Sequence, residues 1–94
     1  MSNLGTFTKQ TAEVLEYTRD FTSELAATSA ISVVSASVSS SPSGMSVSTT
    51  VETPKVYIKY SSGVNGVQYK GTLLTTMDNG LIYEDEFYIN VENI

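Results

Sequence analysis

A period-two alternation, cut at short intervals by turn residues, constrains this chain more than any other feature. In "KVYIKY" Val56, Ile58 and Tyr60 share one parity, while Lys55, Tyr57 and Lys59 take the other. Successive side chains of a strand point to opposite faces, so the pattern is a strand with one buried and one wet side. "SSGVNG" breaks the run, and "VQYKGTLLTT" starts the next strand. "MDNG" then supplies residues that tolerate the positive φ of a hairpin turn. The closing "LIYEDEFYINV" sends Phe87, Ile89 and Val91 one way and Glu86, Tyr88, Asn90 and Glu92 the other.

Upstream, Val34, Ala36 and Val38 alternate with Ser35, Ser37 and Ser39, and Met45, Val47, Thr49 and Val51 resume the rhythm. Between them "SSSPSG" has turn chemistry. The alternation on both sides makes Ser39–Gly44 a loop of a compact body rather than a linker. Gln10–Leu25 reads two ways. Val14, Tyr17, Phe21 and Leu25 fall at helical spacing, while Leu15, Tyr17, Arg19 and Phe21 alternate as in a strand. Met1–Lys9 shows no period and reads as an arm, loose or docked on a neighbour. The expectation is an arm over 1–9 and one all-β domain over 10–94, an antiparallel sandwich of about six or seven strands.

Composition removes several functions. The 94 residues include no Cys and no His, so neither a thiolate metal site nor a His-dependent nucleophile can be assembled from the chain's own residues. With 14 Ser, 12 Thr and 6 Tyr the chain has strand-forming composition. Net charge is −5, and Lys9, Arg19, Lys55, Lys59 and Lys70 are scattered, which argues against a nucleic-acid surface. The apolar runs are too short to span a membrane as a helix, and "MSNLGTFTKQ" lacks the pattern of a signal peptide.

Glu84, Asp85 and Glu86 form the one carboxylate cluster. Three consecutive strand residues cannot converge on a cation, so the cluster reads as the solvated start of the last strand, with no metal and no cofactor implied. Tyr57 and Tyr88 lie on the wet parity, where tyrosine serves cross-strand pairing, a protein contact or sugar stacking. Lys55 and Lys59 flank Tyr57 and read as protection of a sheet edge. No Ser or Thr has a base beside it, and no enzyme signature emerges.

The order of these segments resembles a known family. "VLEYTRDFTSEL" (Val14–Leu25) is similar to the "V-L-D-Y-T-x-D-W/F-S-x-x-L" opening of small phage tail proteins of the fiber–tail adaptor type, with Phe21 where Trp is common. "VYIKYSSGVNGVQYKGTLLTTMDNGLIYEDEFYINV" resembles their closing section. The resemblance implies an Ig-like sandwich in which Leu15–Thr22 is a strand carrying Leu15, Tyr17 and Phe21 against the sheet. It also implies a virion structural protein of the tail, assembled in host cytoplasm and repeated as a ring of copies. That ring would grip a tail or portal-proximal protein on one side and a tail fiber on the other, without catalysis. The arm and the loops Ser39–Gly44 and Ser61–Gly66, with Ser41, Pro42, Val64 and Asn65, are then expected contacts beside Tyr57, Tyr88, Lys55 and Lys59. A capsid decoration protein and a carbohydrate-binding module are the alternatives.

Overall fold

The computed structural model describes residues 2–93. These residues include seven strands: β1 (Ser2–Lys9), β2 (Leu15–Asp20), β3 (Val33–Ser41), β4 (Met45–Glu52), β5 (Lys55–Ser62), β6 (Gln68–Met77) and β7 (Ile82–Val91). A short helix, α1 (Thr22–Thr28), follows β2. The strands form a four-stranded sheet in the order β1-β7-β6-β3 and a three-stranded sheet in the order β2-β5-β4. The fold is an all-β, Ig-like sandwich, as the alternation and the resemblance predict.

Its core is what the inward parities supply. Phe21, Val56, Ile58, Leu73, Met77, Ile89 and Val91 are fully buried between the sheets, with Tyr60, Tyr69 and Phe87 beside them. Gly71 makes room for the Phe87 ring, which lies where a Cβ would stand. Tyr69, at the start of β6, accepts a hydrogen bond from the Val64 amide at 2.9 Å. A tyrosine at this corner, bonding back to the preceding turn, is a recurrent brace of Ig-like sandwiches.

Several expectations need correction. The stretch read as an arm is, from Ser2 on, strand β1, paired in parallel with β7. That pair also makes the larger sheet mixed rather than wholly antiparallel. A register shift between Asn3 and Thr6, where Gly5 takes φ +123°, breaks the alternation. A lysine also fills an inward position: Lys9 is buried. Its ammonium donates to the carbonyls of Gln10 (2.6 Å), Thr11 (3.2 Å) and Ser62 (2.7 Å). Burial lowers its pKa, with Glu13 opposing.

Gln10–Leu25 divides between its two readings. β2 ends at Asp20, about two helical turns follow in α1, and Leu15, Tyr17 and Phe21 pack inward. The strand expected to reach Thr22 stops because the Asp20 carboxylate accepts from the Thr22 amide (2.9 Å) and hydroxyl (2.6 Å), which turns the chain. Val34, expected to point inward with Ala36 and Val38, points out. Val33 pairs with Met77 and Ser35 with Thr76, so Val34 is the extra residue of a bulge and Val33 takes the core position.

Asp85 is likewise not solvated. It is buried and accepts from Arg19 Nε at 3.2 Å, while Arg19 also bonds Glu24 at 3.0 Å and lies over the Phe21 ring at 4.2 Å. Burial works against the Arg19 charge, but the hydrogen bond to Glu24 and the fields of Asp85 and Glu24 outweigh it and raise its pKa. This network joins β2, α1 and β7 across the sandwich.

Candidate interaction surfaces

No cavity opens on the surface of the described residues, and none of their carboxylates group into a metal site. What the fold presents instead is two sheet faces and two ends, on a body 45 Å long and 21 × 18 Å across.

The outer face of the smaller sheet is built on β5. Register sets Glu16 and Ser48 on either side of Lys59, Thr18 and Thr50 on either side of Tyr57, and Asp20 and Glu52 on either side of Lys55. Lys55 and Lys59 therefore lie on the central strand, not on an edge, so the edge-protection reading fails. Each has an opposite charge directly across a strand, which makes them cross-strand partners rather than a cationic patch. Sequence shows alternation within a strand but not which strands become neighbours. Tyr57 is half-buried between the two threonines.

The outer face of the larger sheet carries a row running Thr6, Tyr88, Lys70, Ser41 across all four strands. Tyr88 is half-buried there, and Lys70 pairs with Glu86, which holds the lysine pKa above its ordinary value. Ser41 and Pro42 open the turn at one end of the molecule. The Gly63 amide donates to the Gly44 carbonyl at 3.1 Å, which sets this turn beside the Ser62–Val67 turn. Asn65 there accepts from the Asn93 amide at 2.9 Å, while Val64 projects into solvent. Ser41, Pro42, Val64 and Asn65 thus share one end, while Tyr57 and Tyr88 sit on opposite faces.

The opposite end holds residues the sequence reading left out. The hairpin turns through Asp78-Asn79-Gly80, with Gly80 at φ +87° and its amide bonded to the Met77 carbonyl at 3.0 Å. This is a three-residue hairpin with glycine in the left-handed position. Around it Ile31 (82%), Ile82 (65%), Val34 (61%), Leu81 (45%) and Leu74 (43%) are exposed. Their signal in the sequence was weak, because only the bulge and the pairing bring Val34 level with Ile82.

The fold and these surfaces define an all-β, Ig-like sandwich with no pocket and no metal-binding cluster among the described residues. Within that class the family is defined by sequence. A model described as Podophage GP4 fiber-tail adaptor protein gp77 matches residues 9–90, and the chain belongs to that family. No curated protein matches it. Among solved structures it is similar to a 2,6-sialyltransferase from Vibrionaceae Photobacterium sp. JT-ISH-224, crystallised with CMP and lactose. That likeness has a TM-score of 0.60 at 13% identity, covering 97% of this chain and 17% of the enzyme. It shows the fold alone. The chain spans about a sixth of that enzyme's length.

Proposed function

We propose that this chain joins tail fibers to the podophage tail through non-catalytic protein contacts, as a virion component repeated around the tail axis. The family match over residues 9–90 carries the reading. The shape supports it: the body is 45 Å long, with chemically different ends, which suits a piece set between two partners. One partner meets the end bearing Ser41, Pro42 and Val64, and Tyr57 and Tyr88 flank the seam with neighbouring copies. Closed symmetric repetition turns modest contacts per copy into firm attachment.

Imaging of intact virions at side-chain resolution tests this. Density for the chain between tail and fiber bases, in roughly a dozen copies, is the expected result. Density spread over the shell in hundreds of copies would make it a capsid decoration protein instead. Absence from the particle would end the virion reading.

A further inference from the structure

Five of the seven large apolar side chains exposed among the described residues gather at the hairpin end. Register fixes three of them. Ile82 pairs with Thr76, and the bulge sets Val34 and Ser35 against that same Thr76 from the other side, so Ile82, Thr76 and Val34 form one row on the outer face of the larger sheet. Leu74, two residues along β6, occupies the next row beside Glu84. Ile31 and Leu81 frame the turn. The Ile31 amide donates to the Asp78 carboxylate at 3.0 and 3.2 Å, and the Leu81 carbonyl accepts from Met77 at 2.8 Å.

The bulge is informative. Without it, the register that pairs Ser35 with Thr76 would continue to Val34 opposite Met77, on the core side; with it, Val33 takes that position and Val34 stands outside. Bulges re-aim side chains, and contiguous exposed apolar residues mark contact surfaces.

Charge says what covers the patch. Its rim is acidic, with Glu84 beside Leu74 and Asp78 in the turn, and the described residues bring no free cation to it. Lys9 is buried at the far end. Arg19 is held by Glu24 and Asp85, Lys70 by Glu86, and Lys55 and Lys59 lie on the other sheet opposite carboxylates. An apolar centre with a one-signed rim selects a partner of complementary sign.

We propose that the hairpin end docks a segment of a partner protein in the virion that presents aliphatic side chains flanked by Lys or Arg. This rests on the adaptor reading above and adds to it the surface and the chemistry of one of the two contacts.

The test uses phage particles assembled with the full chain carrying Leu74→Asp with Ile82→Asp, or Glu84→Lys. This chain and the fiber are counted per particle by quantitative mass spectrometry, and thermal melts of the purified variants check folding. The expected result is folded variants and particles in which the double variant lowers either this chain or the fiber at least tenfold. Glu84→Lys should lower the same component severalfold. Loss of this chain places the tail on the hairpin end, and its retention without fiber places the fiber there. Wild-type counts of both components with the folded double variant would overturn the docking surface. Wild-type counts with Glu84→Lys alone would overturn the basic partner. Particles lacking even the wild-type chain would sink the adaptor reading itself, and this proposal with it.

Discussion

The two ends of the sandwich use their side chains in opposite ways. At the end bearing Pro42 and Val64, polar groups look available in the sequence but are engaged within the molecule. The Lys9 ammonium satisfies three carbonyls, Tyr69 holds the Val64 amide, and Asn65 holds the Asn93 amide. At the hairpin end, Val34, Leu74 and Ile82 look like core residues but stand in solvent. A buried polar atom without a partner costs more than an exposed aliphatic one, so polar residues are drawn into structural work first. Residue type alone therefore misassigns both ends, and only pairing and burial tell which side chains remain for a partner.

Substitutions can break this contrast. The largest effect belongs to Lys9→Met, which removes the ammonium that the carbonyls of Thr11 and Ser62 accept from, while the Gln10 carbonyl keeps the Glu13 amide at 3.1 Å. A loss of about 3 kcal/mol in denaturant unfolding is expected, since each unsatisfied buried group costs about 1–3 kcal/mol. Lys9→Met that melts like wild type would mean the loop end is no more committed than the other. Tyr69→Phe comes next, at about 1–2 kcal/mol, with faster hydrogen exchange at the Val64 amide.

A smaller, pH-dependent effect belongs to Asp20, the last residue of β2, just before α1. Hydrogen bonds from the Thr22 hydroxyl and amide hold its carboxyl below the ordinary value, with the Lys55 and Arg19 charges assisting against slight desolvation. The folded state thus binds fewer protons than the unfolded one between the two values. The stability this adds is complete above the ordinary carboxylate range and is lost as pH falls through the folded value. Melting curves of wild type and Asp20→Ala should differ at neutral pH and converge in acid. Smallest of all, Leu74→Thr and Ile82→Ser should leave unfolding within about 0.5 kcal/mol of wild type, because these side chains are exposed and lie outside the core cluster. A loss of several kcal/mol would make the patch structural and remove the contrast.

Legibility in the sequence followed the range of the interaction involved. Strands β4 to β7 and the hairpin are local patterns, and alternation with turn residues located them. The helix start was half legible, since Asp20 and Thr22 are local but the strand pattern overlaps them. β1 was hidden because its bulge at Gly5 breaks the period and Lys9 stands where an apolar residue is anticipated. Asp85 was misread because its partner Arg19 is 66 residues away. Nothing in "EDE" says which of three carboxylates will be buried. The same limit applied to Lys55 and Lys59, whose neighbours are decided by sheet order. The hairpin-end patch depends on a bulge in β3 meeting a hairpin in β6 and β7, and no window of sequence contains both.

The strands run lengthwise. β6 and β7, of ten residues each, extend for about 33 Å of the 45 Å body, at about 3.3 Å per residue. A pull applied between the two ends is therefore directed along the strands. It loads the ladder bonds of β1, β7, β6 and β3 in shear, many at once, instead of peeling them open one after another. A sandwich set this way between two larger bodies acts as a tie rod. Its resistance to rupture depends on how many rungs share the load, more than on how tightly its core is packed.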